Sequence, residues 1–390
     1  MCMSIFSQST DEYTHQLVID IESGSVGGSW VRLHVDKRPD ILYTKRVRFT
    51  VPETANFEQM LSATKRALRE LGTYLATKTP AAPENILVNI GSPWYAAQVR
   101  TMQYGKNKPF PVTRDLVQGM VDRELDLFNK GKMREWNTYD AENYIPLEHI
   151  VVETRLNGYR VNEPFGRKAE RVELRAWFSM APRAVIDMIE NTLQASFHAD
   201  IEFRTTSFGY GHILSEQLNI EQAVMLDIHA EITDGVVIRD GVPTDVFSLP
   251  FGTHSLVRAL AQEIGCTYTQ AHDQLDAYVS DSFTDSAESE IADALAKAEN
   301  IVARHVHDAF GTIAEHSLLP HDIYVVTDRV YQPLFSDILE SAAFRQYTTV
   351  GSIPKVHPWT LGLLQGAVVD HEREVDMRMI IHTLFAHTLL

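Results

Sequence analysis

Two similar stretches decide the fold of this chain: Leu17-Val-Ile-Asp20-Ile21-Glu-Ser-Gly24-Ser25 near the N-terminus, and Val224-Met-Leu-Asp227-Ile228-His-Ala-Glu-Ile-Thr233-Asp234-Gly235 past the middle. Each is an apolar run that ends in an aspartate, continues through small or hydroxyl residues, and returns to apolar residues. Such a run predicts a buried strand that turns sharply back, which holds a carboxylate and backbone N–H groups at a sheet edge. Because the pattern occurs twice at domain-scale spacing, it predicts two facing halves around a cleft.

Composition limits the classes of protein to which this chain can belong. Its 390 residues are 44% hydrophobic and 22% charged, enough to bury large cores and to divide into two or more domains. Cys2 and Cys266 provide neither a disulfide framework nor a metal quartet, which indicates a reducing cytoplasm. No stretch approaches the roughly 18 consecutive apolar residues of a transmembrane helix, and the N-terminus lacks the pattern of a signal peptide.

The charge of the chain is acidic overall and unevenly distributed. A net charge of −17 argues against bulk nucleic-acid binding, because that affinity comes largely from cations that neutralise phosphates. Residues 160–183 contain six basic and three acidic side chains, whereas residues 273–300 contain eight acidic side chains and one lysine. Both runs can be ordinary solvated faces. Alternatively, they meet between copies of the protein in self-assembly.

Hydrophobic periodicity predicts mixed α/β structure throughout the chain. A strand meander covers residues 17–51, and a helix over residues 57–77 ends before the prolines at 80 and 83. A buried strand over residues 86–90 precedes a different module with its own strands and helices. The remaining predicted elements are a strand over 322–327 and helices over 255–263, 269–279, 287–316, 361–369 and 375–390.

The order of these pieces resembles the actin-like fold in the form found in the bacterial division protein FtsA and the pilus protein PilM. The phosphate loops of that superfamily, Asp-Ile-Gly-Thr-x-Ser and Asp-Ile-Gly-Gly-x-Thr-Thr-Asp, are similar to the segments that begin at Asp20 and Asp227. Between them, residues 113–122, 156–166 and 171–181 are similar to the inserted subdomain 1C, also called the SHS2 domain. The resemblance covers residues 15 to 370, and it implies an α/β fold of two duplicated, ribonuclease H-like halves around a cleft.

The resemblance also divides the chain into segments. Residues 1–92 and 193–222 would form the first actin-like half (subdomain IA), residues 93–192 the inserted SHS2-like module, and residues 223–366 the second half (IIA and IIB). The last segment, 367–390, carries a helix with apolar residues at helical spacing. FtsA relatives end in a membrane-targeting helix. Here the acidic leading turns and the few cations on the polar face favour packing on the first half instead.

If the nucleotide site is retained, the resemblance implies that ATP and Mg²⁺ lie between the halves. Asp20 and Asp227 would then hold Mg²⁺ through water, and no residue is assigned a catalytic role. An acid at the end of a strand can also cap the turn that follows, so a structural role for both aspartates is equally open. The implied nucleotide-binding residues are Asp20, Ser23, Gly24, Ser25, Asp227, Glu231, Thr233, Asp234, Thr327 and Arg329.

The chain departs from the superfamily pattern in its loops. Glu22, His229 and Ala230 stand where ATP-binding members have glycine. A side chain at such a position costs about 1–2 kcal/mol if the loop keeps its shape. A carboxylate about 4 Å from a phosphate oxygen repels it by about 4 kcal/mol at an effective dielectric of 20. The glycine pair of the adenosine loop is replaced by Asp328-Arg329. These departures weaken ATP binding without excluding it, so ATP with Mg²⁺ and no cofactor at all both remain open.

We therefore expect a cytoplasmic actin-like scaffold, peripheral to the inner face of the bacterial membrane, that acts through protein contacts and not as an enzyme. Its partner would be the division ring protein, slightly favoured by the order of the inserted module, or the cytoplasmic tail of a pilus membrane protein. Self-assembly through the module 93–192 is a further expectation. The competing class is an active ATPase or a sugar-kinase relative, although a kinase would not need the insert.

Overall fold

The two apolar runs that end in aspartate both form buried strands. The computed structural model describes residues 13–50, 56–78, 82–135, 144–280, 285–315, 317–364, 366–371 and 376–390. A π-helical turn over Ile213–Gln217 extends the fourth helix, and a 3-10 helix spans Ala342–Tyr347. The other elements are, in chain order, β1 (Tyr13–Ile21), β2 (Ser25–His34), β3 (Asp40–Arg48), α1 (Phe57–Lys78), β4 (Asn85–Ile90), β5 (Ala96–Pro111), α2 (Arg114–Glu135), β6 (Tyr144–Leu156), β7 (Tyr159–Arg160), β8 (Lys168–Pro182), α3 (Arg183–Gln194), β9 (Asp200–Thr205), α4 (Thr206–His212), β10 (Gln222–Ile228), β11 (Thr233–Arg239), β12 (Val242–Leu249), α5 (Thr253–Ile264), α6 (Tyr268–Val279), α7 (Asp285–Ala314), β13 (Asp322–Val326), α8 (Gln332–Leu339), β14 (Lys355–Pro358), β15 (Val369–Asp370) and α9 (Met377–Thr388).

The two halves of the chain form sheets of the same topology. The first sheet has the strand order β15-β3-β2-β1-β4-β9, and the second has the order β12-β11-β10-β13-β14. Apart from β15, which pairs parallel with β3 at the edge of the first sheet, each sheet has an antiparallel meander of three strands followed by two parallel strands. Parallel neighbours need a long crossover connection, which helices supply in both halves. The repetition confirms the predicted fold class, an α/β protein with duplicated halves.

Alternation of side chains along the strands divides the core into layers. In β1, Leu17 and Ile19 pack beneath helices α1 and α3, whereas Val18 faces a layer between the two sheets. Strand β10 repeats this arrangement, because Leu226 packs against its own helices while Met225 faces the shared layer. Helices α4 and α9 lie in that layer, and α9 contacts β1, β2 and α4.

A third sheet, with the strand order β5-β8-β6-β7, lies between β4 and β9 in the chain. Together with α2 it encloses a separate core that includes Phe110, Phe128, Leu174 and Phe178. Helix α3, which the predicted boundary at residue 192 assigns to this module, packs instead on α1 through side chains such as Ile189. The separately cored unit therefore spans β5 to β8, residues 96–182.

The segment over residues 361–369, predicted to be a helix, has a different structure. Residues 361–364 form turns, and Val369–Asp370 is β15, a short strand paired with β3. Gly366 has a φ of 67°, a left-handed conformation that ends a helix and that glycine adopts without strain. The apolar residues of this segment do not form the face of a helix. Leu364, for example, packs against the layer between the two sheets.

Helix α9 buries polar as well as apolar side chains. It covers residues 377–388, within the predicted range of 375–390, and residues 372–375 lie outside the described ranges. Asp376 caps its N-terminus by accepting a hydrogen bond from the backbone N–H of Met379 at 3.2 Å. Arg378 and His382 are as buried as the apolar residues around them. None of the helices in the described ranges is long and apolar enough to cross a membrane.

Candidate functional site

The two predicted loop aspartates face the same layer between the sheets. Alternation places Asp20 on the same face of β1 as Val18, and Asp227 on the same face of β10 as Met225. Both side chains belong to residues that are almost completely buried, with exposures of 0% and 1%. Their strands are equivalent in the two sheets, since each pairs antiparallel with the next strand and parallel with a later one. The sequence repeat thus places two carboxylates at one buried site.

The loops that follow β1 and β10 touch each other. The backbone N–H of Glu231 donates a hydrogen bond to Ser23 Oγ at 3.1 Å. A Cβ atom added to Gly24 would lie 2.2 Å from the Cβ of Ala230, so a larger residue would force the loops apart. Glycine is therefore required at position 24 by the contact between the loops.

Two further predicted nucleotide ligands have protein partners. The hydroxyl of Thr233 donates to the backbone carbonyl of Phe251 at 2.9 Å. The carboxylate of Asp234 accepts hydrogen bonds from the backbone N–H and the hydroxyl of Ser92, at 2.9 and 2.6 Å, and from the hydroxyl of Ser248 at 2.6 Å. Because Ser92 belongs to the first half of the fold, these bonds join the two halves across the cleft.

The other three predicted residues lie towards the rim. Glu231 accepts hydrogen bonds from His254 at 2.9 Å and from Arg258 at 2.7 Å. Burial would raise the pKa of Glu231, but the hydrogen bonds from His254 and Arg258 and the charge of Arg258 lower it to about 2. Thr327 has a buried hydroxyl with no hydrogen-bond partner among the described residues, and Arg329 is exposed. Thr327 directly follows Val326, which pairs with Asp227 in the sheet, whereas the exposed Arg329 points to the surface.

Arg46, on β3, contacts the acids of the first half. Its Nη2 lies 2.7 Å from Asp20 Oδ2, and its Nε lies 2.7 Å from Asp376 Oδ2. Its Nη1 donates to Ser25 Oγ at 2.8 Å and lies 3.5 Å from Glu22 Oε2. The hydroxyl of Ser25 in turn donates to Glu22 at 2.8 Å. The guanidinium, only 6% exposed, thus links strand β3 to the loop after β1 and to the start of α9.

Arg378, in the first turn of α9, joins the acids of both halves. Its Nε lies 2.7 Å from Glu22 Oε1 and 3.2 Å from Asp227 Oδ1. Its Nη1 lies 3.0 Å from Asp328 Oδ1, and its Nη2 donates to the backbone carbonyl of Ile228 at 2.8 Å. Arginine suits this position because its planar guanidinium presents several donors in fixed directions to several acceptors.

Two histidines complete the buried cluster. The ring of His229 lies 3.3 Å from Glu22 on one side and 3.3 Å from Asp227 on the other. The ring of His382, one helical turn after Arg378, lies 3.3 Å from Asp20. Each of the two loop aspartates therefore has an arginine and a histidine within ion-pair distance.

The sequence analysis did not single out Arg46, Arg378 or His382 as site residues. Charged side chains are rarely fully buried unless they are paired, so an arginine in a strand or helix is normally assigned to the surface. One signal was available in α9, where Arg378 and His382 are four positions apart in an otherwise apolar helix and therefore share a face. Arg46 carries no such signal.

Burial and ion pairing oppose each other in setting the pKa values of the cluster. Burial would raise the pKa of Glu22, but Arg378 and Arg46 lower it well below its usual value. Burial raises the pKa of Asp227 to about 6, against the opposing effect of His229 and Arg378. Burial would lower the pKa of His229, but Asp227 and Glu22 raise it well above its usual value. His229 is therefore a cation near neutral pH.

These shifts predict how stability depends on pH. The lowered pKa values of Glu22, Asp234 and Asp376 contribute stability that is present above about pH 4.5 and is lost as the pH falls further. The raised pKa of His229 contributes stability that is complete below about pH 6.5 and declines as the pH rises through its folded-state value. Asp227, whose pKa is raised to about 6, adds a smaller decline between about pH 4 and 6.

We expect the free energy of unfolding, measured by urea titration at a series of pH values, to be largest between about pH 4.5 and 6.5. A His229→Gln variant should lack most of the decline above this range, because the titrating group is gone. Stability that keeps rising from neutral to alkaline pH would contradict the assignment of His229 as a buried cation.

A cavity of about 350 Å³ lies beside the cluster, between the loops of the first half and the helices of the second. Glu22, His229 and Arg378 line its inner end. Its outer walls are aromatic and basic, formed by Arg48, Phe49, His254, Tyr268, His272 and Tyr331. This cavity corresponds to the cleft that the sequence repeat predicts.

The residues of this cleft do not fit a magnesium–nucleotide group. Glu22, Asp227 and His229 place one ligand atom each within 4.8 Å of one another, which is compact enough for a metal ion. However, Arg378 contacts both of these carboxylates and supplies the positive charge that a metal would bring. The contact between Gly24 and Ala230 brings the two loops together, and both residues also line the cavity.

Comparison with known proteins supports the fold. No protein-family model and no curated protein sequence matches the chain.

Among solved structures, a chain of a PilM–PilN type IV pilus biogenesis complex matches with a TM-score of 0.61 and 14% identity, over 96% of this chain and 96% of that chain. A protein of unknown function with an actin-like ATPase fold, from Bacteroides thetaiotaomicron, matches with a TM-score of 0.43 and 9% identity, over 98% and 99% of the two chains. The ethanolamine utilization protein EutJ from Carboxydothermus hydrogenoformans matches with a TM-score of 0.44 and 13% identity, over 89% and 84%.

The match to the pilus complex agrees with the strand order described above. The match covers 96% of this chain, which forms the two large sheets and the four-stranded sheet. The chain therefore shares the fold of that pilus-complex chain, the actin-like fold that the sequence resemblance implied.

Proposed function

We propose that this protein is an actin-like scaffold of the PilM kind, which assembles a membrane-associated pilus machine by binding another protein. The observation that carries the proposal is the match over nearly the full length of both chains to a component of the PilM–PilN complex. Fold similarity at this level of identity supports a function only by analogy, so the proposal also needs support from the site itself.

The site favours a scaffold over an enzyme. Phosphoryl transfer needs a metal or cationic clamp on the phosphates and a group that positions the nucleophile. In the described cleft, Asp20 and Asp227, which would organise the metal, are held by Arg46, Arg378 and two histidines. We therefore propose that the cleft serves structure and that neither ATPase nor sugar-kinase activity is present.

The sequence left a division role and a pilus role open, with division slightly favoured. We propose the pilus role because the structural match with the TM-score of 0.61 belongs to a pilus complex. The partner would then be a PilN-like membrane protein, bound through its cytoplasmic tail, and the scaffold would lie at the inner face of the membrane.

The separately cored unit, residues 96–182, is proposed to be the SHS2-like insert. Its edge strand β5 and strand β6 contact β12 of the second half, so it bridges both halves on one side of the molecule. Its basic run within residues 160–183 and the acidic run within residues 273–300 are opposite in charge. We propose that they support self-assembly, which low salt would strengthen.

The partner proposal is tested with the cytoplasmic tail of a PilN-like protein. We expect a peptide of that tail to bind with one-to-one stoichiometry in calorimetric titration and to co-elute in size-exclusion chromatography. A scrambled peptide of the same composition is the matched control. Absence of binding to the tail, together with saturable binding to the tubulin-like division protein, would replace the pilus role with the division role.

A further inference from the structure

The cleft of this protein has a cation of its own at the position where carboxylates from both halves converge. Glu22 comes from the end of β1, Asp227 from the end of β10, and Asp328 from the segment after β13. The guanidinium of Arg378 contacts all three, at 2.7, 3.2 and 3.0 Å. A carboxylate taken out of water without a partner is strongly destabilising, so these acids require the cation that faces them.

We infer that Arg378 is a built-in replacement for the metal–nucleotide group, so that the two halves are held closed permanently and without a ligand. The inference does not depend on the pilus role. The charge and the geometry of the site support the inference. Glu22, Asp227 and His229 could otherwise hold a metal ion, and the single guanidinium of Arg378 neutralises this cluster. The side chain of Arg378 is only 6% exposed, which leaves little access for a competing cation.

A second, independent set of contacts closes the same cleft. The loop after β1 touches the loop after β10 through the hydrogen bond from Glu231 to Ser23 and the packing of Gly24 on Ala230. Neither contact involves Arg378. The loop contacts and the guanidinium of Arg378 therefore join the two halves independently of each other.

The inference predicts that removal of the guanidinium creates a binding site. In an Arg378→Ala variant, the space that the guanidinium fills becomes empty. The carboxylates of Glu22, Asp227 and Asp328 line this space. We expect the melting temperature to fall by at least about 5 °C. Low-millimolar guanidinium chloride should restore at least half of this loss, whereas sodium chloride at equal ionic strength should not. Manganese chloride should also stabilise the variant, because the vacated carboxylates of Glu22 and Asp227 offer oxygen ligands to a divalent ion.

The wild type and an Arg48→Ala variant are the controls. Arg48 also contacts Asp328, at 3.2 Å, but its side chain is 64% exposed. Its removal should leave the melting temperature nearly unchanged, and neither guanidinium nor manganese should stabilise that variant. Stabilisation of the wild type by manganese to the same extent as Arg378→Ala would overturn the inference. So would a folded Arg378→Ala variant that neither guanidinium nor manganese stabilises.

Calorimetric titration of the wild type with Mg-ATP keeps the inference testable if Arg378→Ala does not fold. We expect no heat of binding with ATP in the millimolar range, alone or with Mg²⁺. Saturable binding in that range would show that the cleft opens to nucleotide and would overturn permanent closure. An Arg378→Lys variant adds an intermediate case, because lysine keeps the charge but lacks the planar fork. It should be less stable than the wild type and should not respond to guanidinium.

Discussion

Replacement of Arg46 by alanine is expected to lower the free energy of unfolding by about 3–5 kcal/mol, because it leaves buried carboxylates without a partner. The guanidinium lies 2.7 Å from Asp20, which is completely buried, and 2.7 Å from Asp376, whose side chain is 18% exposed. Urea-induced unfolding, followed by circular dichroism at neutral pH, measures the change. A loss of this size from one polar residue would identify the cluster as a main determinant of stability.

The matched control for this variant is Arg48→Ala, on the same strand and two residues further along. Arg48 pairs with Asp328 at 3.2 Å, but the side chain of Arg48 is 64% exposed and that of Asp328 is 36% exposed. Exposed ion pairs contribute about 0–1 kcal/mol, so the two arginine variants should differ severalfold in their effect. If both variants lower the free energy of unfolding equally, the buried cluster contributes no more to stability than an ordinary surface ion pair.

Replacement of Phe385 by alanine is expected to lower the free energy of unfolding by about 3–5 kcal/mol, through lost burial and the cavity that remains. Phe385 is completely buried at the centre of α9, with its ring centroid 6.0 Å from that of Phe208. A Cβ atom built on Gly209 would come within 3.0 Å of its ring, so α4 and α9 are already in close contact here. Thermal and urea unfolding both measure the loss.

Leu389→Ala is the control for the Phe385 variant. Leu389 directly follows α9 and is 43% exposed, so its truncation should change stability by less than about 0.5 kcal/mol. If Phe385→Ala retains full stability but loses binding to anionic liposomes, α9 is a membrane anchor and its buried position here is not the functional one.

The resemblance and the periodicity together predicted the architecture because both depend on local patterns. The runs before Asp20 and Asp227 are apolar at every position, which is typical of strands that are covered on both faces. Their similarity predicted the duplicated halves, and the two sheets have the same strand order apart from the edge strand β15 of the first. The helix predicted over residues 361–369 is wrong because a short apolar segment that ends at a left-handed glycine packs without forming a helix.

The predicted site was only partly assembled by the fold. Asp20, Ser23, Gly24 and Asp227 do converge between the halves, as their positions at equivalent strand ends require. Arg329 lies on the surface instead, and its neighbour Asp328 turns inward to Arg378. Adjacent residues after a strand end can point in opposite directions, and the sequence contains no signal for which of them faces the cleft.

Short segments of the sequence determine the predicted architecture. Apolar periodicity and the repeated strand-aspartate pattern predict the duplicated α/β halves, and the missing loop glycines predict weakened nucleotide loops. The arginine side chains that occupy the cleft cannot be predicted from short segments of the sequence. Arg46 and Asp376 are 330 positions apart, and no local pattern connects them. They meet because α9 returns between the two sheets and carries Arg378 to the buried acids, where low access to water makes an arginine the counter-ion that the carboxylates require.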